Sequence, residues 1–318
     1  MDRVSAAIGR SDDESLDGSR AFALPSDGEE LVSKGPDGGP SGDDLFRLNE
    51  LDVFHDEGQR ALWTFMRAAG RPSFTPSMLR DFEDWQRLIP QSFGPERKPL
   101  DYLVLGSRTP DVFCFGGDLH LFQSLIRAGD RDGLAHYGYR CVEILDRNIK
   151  ALDLPMLTIG LVQGAALGGG FEALLSFDFI IAERDATFGL PEVMFNLFPG
   201  MGAHAFLIRK LGLAQAERII LSNKTYSAQE MYDLGIVHQL AEPGEGRAAC
   251  EEFMAKSARR HSALVRAKAA ERITSPVPLS ELKAIVDLWA DTALDLTERD
   301  LKIMSRLVAA QARLRERA

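Results

Sequence analysis

Two glutamates lie 20 positions apart, each beside residues that are typical of tight turns. Glu172 follows the triplet Gly168–Gly170, and Glu192 directly follows Pro191. The triplet comes after the apolar run Leu157–Val162, and this order predicts a strand, a tight turn and a helix. Unpaired N–H groups at a helix start suit a developing negative charge, and neighbouring carboxylates suit proton transfer beside a carbonyl. The spacing therefore indicates acid–base chemistry on a carbonyl compound.

The same residues also have a purely structural interpretation. Glycine triplets often form plain turns, because glycine reaches backbone conformations that other residues avoid. A glutamate in the first turn of a helix often only complements the helix dipole. Taken alone, the turn and one glutamate favour this structural role.

A second glycine turn lies earlier in the chain. The segment Val112–Leu119 predicts a strand, a turn at Gly116-Gly117 and a helix that Asp118 caps. Such a turn leaves backbone N–H groups free at the helix start. On its own it is best interpreted as a simple strand–helix connection.

The ordered motifs resemble a known superfamily. Gly-x-Ala-Leu-Gly-Gly-Gly-x-Glu, then Phe-Gly-Leu-Pro-Glu, then Pro-Gly-x-Gly are similar to motifs of the enoyl-CoA hydratase/isomerase, or crotonase, superfamily. The segment Glu192–Ala203, with Phe171 before the first acid, resembles the diffusible-signal-factor synthase branch. The resemblance spans roughly residues 48–310 and implies an α/β fold, a crotonase-like β-β-α spiral core with a C-terminal helical region.

This resemblance also implies roles for individual residues. Glu172 and Glu192 would share the general acid and base duties. The N–H groups of Phe115 and Gly169 would form an oxyanion hole, although the superfamily often has alanine at the position of Phe115. The remaining expected substrate-binding residues are Gly116, Gly168, Gly170, Met201, Trp289 and Leu307.

The activity implied by this branch has two steps in one site. A 3-hydroxyacyl thioester is dehydrated to a cis-2-enoyl chain, and the thioester is then hydrolysed to a free fatty acid. One alternative is an ordinary enoyl-CoA hydratase or isomerase, which acts on acyl-CoA and does not hydrolyse it. Another is a non-catalytic binding protein on the same fold, against which the presence of both acids argues.

The expected partners follow from that substrate. No cofactor is implied, because the acyl chain arrives on the phosphopantetheine of an acyl carrier protein or on CoA. The resemblance also suggests a sensor-kinase receiver domain as a binding partner, and a homo-oligomer. The segment 247–272 carries seven Lys or Arg and three Glu, which indicates either a solvated helix face or a docking surface for phosphates or an acidic carrier protein.

The composition of the chain limits its partners and its domain organisation. The chain has 318 residues and a net charge of −10, which argues against a nucleic-acid partner. Residues 1–45 hold eleven acidic and four basic residues and few large apolar ones, which predicts a disordered acidic tail. The predicted divisions are this tail, a core over 46–245 and a helical region over 246–318.

Several site types are not expected. Cys114, Cys141 and Cys250 lack the spacing of a disulfide framework or a metal site, and His120 and His136 show no metal-ligand spacing. No stretch reaches the ~20 apolar residues of a membrane helix. We therefore predict a cytoplasmic protein without a metal.

The remaining patterns predict strands that alternate with helices up to residue 183, as in an α/β fold. Leu51–His55 and Ala61–Met66 predict a hairpin, and Thr75-Pro76 a helix start. Pro90–Pro99 is interpreted as a polar loop. Further predicted elements are strands at Leu100–Leu105 and Ile236–Leu240, helices at Leu119–Ile126, Leu134–Leu152, Ala203–Leu211 and Ala214–Leu221, a capping box from Ser227 to Glu230, and C-terminal helices after Gly246.

Overall fold

The computed structural model describes residues 45–315 and two short strands before them, with side chains described over 45–312. The strands are β1 (Ser33–Lys34), β2 (Pro40–Ser41), β3 (Leu51–Asp56), β4 (Ala61–Met66), β5 (Tyr102–Ser107), β6 (Val112–Cys114), β7 (Leu157–Val162), β8 (Ala165–Leu167), β9 (Phe179–Glu183), β10 (Thr187–Gly189), β11 (Thr225–Ser227) and β12 (Gln239–Ala241). The α-helices are α1 (Pro76–Ser92), α2 (Leu119–Ala128), α3 (Arg131–Ile149), α4 (Gly169–Leu174), α5 (Ala203–Leu211), α6 (Leu213–Leu221), α7 (Ala228–Asp233), α8 (Gly246–Ser257), α9 (His261–Thr274), α10 (Leu279–Leu294) and α11 (Glu298–Arg315). Short 3₁₀ turns occupy Ala151–Asp153, Glu192–Phe195 and Ala258–Arg260.

The larger sheet has the strand order β12-β9-β7-β5-β4-β3. The pair β3–β4 is the predicted antiparallel hairpin, and the other pairs are parallel. Every residue of β4 and β7 is buried, as expected for apolar strands that are covered on both faces. The predicted mixed α/β fold is confirmed.

The smaller sheet, with the order β11-β10-β8-β6, positions the residues of interest. Its strands β6, β8 and β10 are parallel neighbours, so their carboxyl ends meet at one edge. The loop that begins at Phe115 follows β6, the glycine triplet follows β8, and Glu192 follows β10. Three segments that are distant in sequence are thereby brought to one edge of the sheet.

The predicted loop at Pro90–Pro99 is wrong at its start, because α1 extends to Ser92. The helix continues through Pro90 to Ser92, and the N–H of Phe93 still donates to the carbonyl of Ile89 at 2.9 Å. A proline inside a helix leaves one carbonyl without its usual donor. Here that carbonyl belongs to Gln86, and the guanidinium of Arg147 donates to it at 2.9 Å. A residue from α3 therefore makes the proline tolerable.

Other predicted boundaries also shift: the strand predicted at Leu100–Leu105 is β5, and the helix predicted from Leu134 begins at Arg131. Helix α3 ends at Ile149 rather than at Leu152, whose φ of +52° is left-handed. The predicted strand at Ile236–Leu240 begins at Gln239, because the N–H of Ile236 instead donates to Met231 and closes α7. The capping box at Ser227 is confirmed.

The C-terminal helices cover the site from one side. Helix α10 lies against α3, where Gly138 allows Val286 to approach closely. Helix α11 packs against α2 and against the turn Glu192–Phe195. Of the predicted disordered tail, residues 1–45, the structure describes only β1, β2 and Leu45, so this prediction lies almost entirely outside the described residues. The predicted domain divisions remain predictions.

Candidate active site

The glycine triplet makes the close approach between β6, β8 and α4 possible. Gly168 has φ +52° and ψ −129°, a conformation that is open essentially to glycine alone. A Cβ at Gly170 would collide with the backbone carbonyl of Cys114, which belongs to the neighbouring strand. The triplet is therefore required by steric contacts as well as by the turn.

Glu172 lies in the first turn of α4, as predicted, and is 1% exposed. Its Oε1 accepts hydrogen bonds from the N–H groups of Met201 at 2.8 Å and Ala203 at 3.0 Å. Ala203 is the first residue of α5 and Met201 lies two residues before it, so a buried carboxylate faces the start of a second helix. Donors of this kind stabilise the ionised form of a carboxyl group.

Glu192 lies in the 3₁₀ turn after β10. Its Oε2 is buried and has no hydrogen-bond partner in the described part of the chain. A Cβ at Gly168 would lie 2.6 Å from its Oε1, so the carboxyl group lies over the glycine turn. A buried carboxyl oxygen without a donor favours the protonated state.

Both acids have raised pKa values, for related reasons. Burial raises the pKa of Glu172 to about 7, against the lowering effect of the backbone N–H groups at 201–203. Burial also raises the pKa of Glu192 well above its usual range, and the negative charge of Glu172 adds to the effect. We infer that Glu192 keeps its proton at neutral pH, whereas Glu172 is partly ionised there and holds the negative charge when the pair carries one proton. One group can then accept a proton while the other donates one.

This arrangement predicts a pH-dependent stability difference for Glu192→Gln. Above the ordinary glutamate pKa of 4.5, the unfolded chain loses the Glu192 proton while the folded chain keeps it. The wild type therefore loses more stability than the glutamine variant as pH rises through this range, because in the variant only Glu172, with a pKa of about 7, still contributes to the loss. The melting temperature of the variant should exceed that of the wild type by more at pH 8 than at pH 5. Each kcal/mol of difference in unfolding free energy corresponds to a shift of about 2–4 °C. A difference that stays constant or shrinks with pH would contradict the assignment.

The backbone donors differ from the expectation. The N–H of Phe115 donates to the carbonyl of Pro72 at 2.8 Å, so it is not free to bind an oxyanion. The N–H groups of Gly117 and Gly169 have no acceptor within the described residues. A Cβ at Gly169 would lie 3.5 Å from the nitrogen of Gly117, so the two amides are neighbours. The residue two positions after Phe115 therefore replaces it as the candidate donor.

These groups face one cavity of about 590 Å³, open mouth included. Both glutamates line it, together with Gly117 and Gly169. Of the residues expected to bind substrate, the structure places four on the cavity wall: Gly168, Met201, Trp289 and Leu307. Gly116 and Gly170 do not line it and instead allow the strands to approach. Phe115 does line the cavity, but with a backbone N–H that is already bonded.

The model of the enoyl-CoA hydratase/isomerase family matches residues 96–290, which is more than half of the chain and includes both glutamates. The chain belongs to the enoyl-CoA hydratase/isomerase family. Methylglutaconyl-CoA hydratase 1 from Pyricularia oryzae is 30% identical over 226 residues, which cover 69% of this chain and 61% of that protein. The alpha subunit of the fatty acid oxidation complex from Vibrio cholerae is 30% identical over 191 residues. These cover 59% of this chain and 26% of that subunit, so the chain spans about a quarter of its length.

Solved structures agree with the family fold. Pseudomonas aeruginosa DspI is 25% identical with a TM-score of 0.58, and the match covers 74% of this chain and 83% of that one. An enoyl-CoA hydratase from Bacillus anthracis has a TM-score of 0.62 at 23% identity, over 79% of this chain and 93% of that one, which supports the fold alone. Members of this family are hydratases and lyases that act on acyl thioesters.

Two buried cysteines, Cys141 and Cys114, lie close to this site. Cys141 lies close enough for the charge of Glu172 to influence it, but burial raises the pKa of its thiol to about 12. Burial also raises the pKa of Cys114 to about 12, so neither thiol is a nucleophile near neutral pH. No cluster of three or more metal-ligating side chains occurs in the part of the chain that the structure describes. Among the same residues, no helix is long and apolar enough to span a membrane.

Other residues of the cavity wall were not predicted from the sequence. Phe122 packs edge-on against Trp289, with ring centroids 5.0 Å apart. Gln311 reaches the cavity from α11 and is 2% exposed. Phe122 lies on α2 and Gln311 on α11, and these two helices meet only in the folded protein. No local sequence pattern therefore indicates that the two residues line one cavity.

Proposed function

We propose that this protein dehydrates a 3-hydroxyacyl thioester and then hydrolyses it, which releases a cis-2-unsaturated fatty acid of the diffusible-signal-factor type. The observation that carries the proposal is the pair Glu172 and Glu192, buried at one cavity with raised pKa values and beside two free backbone N–H groups. The similarity to DspI supports this branch of the family.

Dehydration uses the unequal protonation of the two acids. The ionised Glu172 takes a proton from carbon 2, and the electron pair moves onto the carbonyl oxygen, which the N–H groups of Gly117 and Gly169 stabilise. The enolate then forms the carbon 2–carbon 3 double bond while the bond from carbon 3 to its hydroxyl breaks. Glu192 protonates the departing hydroxyl, which leaves as water. The pair again carries one proton.

Hydrolysis reuses the same groups. A carboxylate takes a proton from water, and the resulting hydroxide attacks the thioester carbon. The N–H groups of Gly117 and Gly169 stabilise the tetrahedral oxyanion. The carbon–sulfur bond breaks, the thiol leaves with a proton, and the free acid is released. The step consumes one water molecule and no cofactor.

The apolar wall of the cavity suits the acyl chain. Trp289 and Leu307 reach it from the C-terminal helices, and Met201 lies where its Sδ faces Gly169. A second, almost wholly apolar cavity continues behind Met201, between α1 and α3. Met201 lines both cavities, so a rotation of this flexible side chain would join them. Together, with volumes of about 590 and 470 Å³, open mouths included, they have room for a fatty acyl group.

Trp289→Ala is expected to change the chain-length preference. Trp289 is 6% exposed and packs against Phe122 and Gly200, so the change should also cost about 3 kcal/mol of stability. Val286→Ala is the matched control, since Val286 lies one turn earlier on α10, is buried and does not line the cavity. Turnover of a series of acyl lengths should shift its maximum in the first variant only. An unchanged maximum would remove Trp289 from the acyl site.

The charge of the surface around segment 247–272 indicates which molecule delivers the acyl chain. Within segment 247–272, four of the seven basic residues form ion pairs: Arg247, Lys256, Lys268 and Arg272. Arg259, Arg260 and Arg266 are exposed and have no ion-pair partner among the described residues. They support docking of an acidic acyl carrier protein in preference to a plain solvated face. A cytoplasmic homo-oligomer that also binds a sensor-kinase receiver domain is consistent with this role.

Mass spectrometry of the products tests the proposal. Purified protein is incubated with the same 3-hydroxyacyl group on an acyl carrier protein and on CoA. We expect free cis-2-enoic acid, formed faster from the carrier protein. A product that stays attached to CoA as the enoyl thioester would support an ordinary hydratase instead. No turnover of either substrate would support a binding protein on this fold.

A further inference from the structure

Gln311 lines the cavity and carries a buried donor without a partner among the described residues. It lies on α11, one turn after Leu307, and both residues line the cavity wall. Its side chain is 2% exposed, and its Nε2 has no hydrogen-bond acceptor in the part of the chain that the structure describes. Burying an amide N–H without an acceptor costs about 1–3 kcal/mol, and such groups are rare in folded proteins. A ligand in the cavity would supply the missing acceptor.

The orientation of this amide is fixed by Arg71. The guanidinium of Arg71 donates to Oε1 of Gln311. Because a guanidinium only donates hydrogen bonds, the amide nitrogen cannot occupy that position, and Nε2 must face away from Arg71. Arg71 is itself held near the oxyanion loop, 5.7 Å over the ring of Phe115 and 3.4 Å from the carbonyl of Gly117. Gln311 is therefore placed beside the loop that would bind the substrate.

We propose that Gln311 is a substrate-binding residue whose Nε2 donates a hydrogen bond to an oxygen of the acyl thioester. The thioester carbonyl already has two donors, the N–H groups of Gly117 and Gly169. The acceptor is therefore a second oxygen, either the 3-hydroxyl of the acyl chain or an amide carbonyl of the pantetheine arm. This inference rests on the proposed function, because it names a contact in the same site. It also means that the C-terminal helix contributes directly to substrate recognition.

A structural role for Gln311 makes a different prediction. In that case the residue only ties α11 to the core, as Gln123 does. Nε2 of Gln123 donates to the Leu301 carbonyl at 3.3 Å and to Ser305 Oγ at 2.9 Å, both on α11. Gln123 is also buried, but it does not line the cavity. Gln123→Leu is therefore a matched control that loosens α11 without removing a donor to the ligand.

The test measures binding of stable amide analogues, in which nitrogen replaces the thioester sulfur. Four medium-chain analogues are compared, with or without the 3-hydroxyl and with or without the amides of the pantetheine arm. Calorimetry is performed with the wild type, Gln311→Leu, Gln311→Glu and Gln123→Leu. The glutamate variant keeps an acceptor for Arg71 but removes the donor, whereas the leucine variant removes both.

Both Gln311 variants should bind the analogues that carry the recognised oxygen about tenfold more weakly than the wild type. Analogues that lack this oxygen should bind to the Gln311 variants as tightly as to the wild type. The analogues that lose affinity therefore identify which oxygen is recognised. Gln123→Leu should affect all four analogues by the same factor. Equal affinities in the wild type and both Gln311 variants would overturn the inference, as would a uniform loss that matches the control. If the wild type binds none of the analogues, the proposed function fails as well.

Discussion

Glu172→Gln and Glu192→Gln should each lower turnover by roughly 10²-fold or more while the protein remains folded. Glutamine keeps the shape of the side chain, and its oxygen can still accept hydrogen bonds from Met201 and Ala203 at position 172. The change removes only the group that accepts or donates the proton. Dehydration and hydrolysis should be measured separately, because one glutamate can matter more for one step.

The double variant provides the internal control for this prediction. If the acids act as a pair, the two losses should not multiply, because each acid works only with the other in place. A purely structural role predicts at most ~1 kcal/mol of lost stability and nearly full activity. Full activity of either single variant in both steps would remove that residue from the mechanism.

Gly116→Ala should abolish most activity for a steric reason. Gly116 has φ +83°, and a Cβ would lie 2.5 Å from the nitrogen of Gly169 and 2.9 Å from the carbonyl oxygen of Leu167. Both neighbours are backbone atoms on β8 and α4, so the loops must separate. Displacing the two amide donors by about 1 Å is expected to lower turnover on the order of 10²-fold.

Gly129→Ala is the control for backbone strain. Gly129 also has a positive φ, +65°, but its Cβ would meet no atom within 4 Å. This variant should lose only about 1 kcal/mol, the cost of a left-handed conformation, and keep its turnover. Circular dichroism and melting curves establish whether each variant is folded. Equal activities of Gly116→Ala and Gly129→Ala would argue against Gly117 and Gly169 as the oxyanion donors.

Local sequence patterns predicted the scaffold of the site well. The order of apolar run, glycine triplet and glutamate predicts a strand, a tight turn and a helix, and the structure has β7 at Leu157–Val162 and α4 after the triplet, with the short strand β8 between them that the pattern did not predict. Gly168 and Gly170 are required by a positive φ and by a backbone contact, both of which act over short distances. Helix α5 also matches its predicted bounds, Ala203–Leu211, because a glycine precedes it and a glycine follows it.

Features that depend on distant partners were not predictable in the same way. Whether the N–H of Phe115 is free depends on the carbonyl of Pro72, and the structure shows that it is not. Whether a helix can continue through Pro90 depends on Arg147, which belongs to another helix. The contact between Arg71 and Gln311 joins residues 240 positions apart. No local pattern contains this information.

In the proposed mechanism, the glutamate pair removes a proton from carbon 2 before the thioester is hydrolysed. The most direct test uses a 3-hydroxyacyl carrier-protein substrate with two deuterium atoms at carbon 2. Mass spectrometry of the released acid should find one deuterium retained in an enoic acid, formed more slowly than from the undeuterated substrate. Glu172→Gln and Glu192→Gln should each form this product at least about 10²-fold more slowly than the wild type. A free 3-hydroxy acid that retains both deuterium atoms would contradict the account, because it would show hydrolysis without proton abstraction.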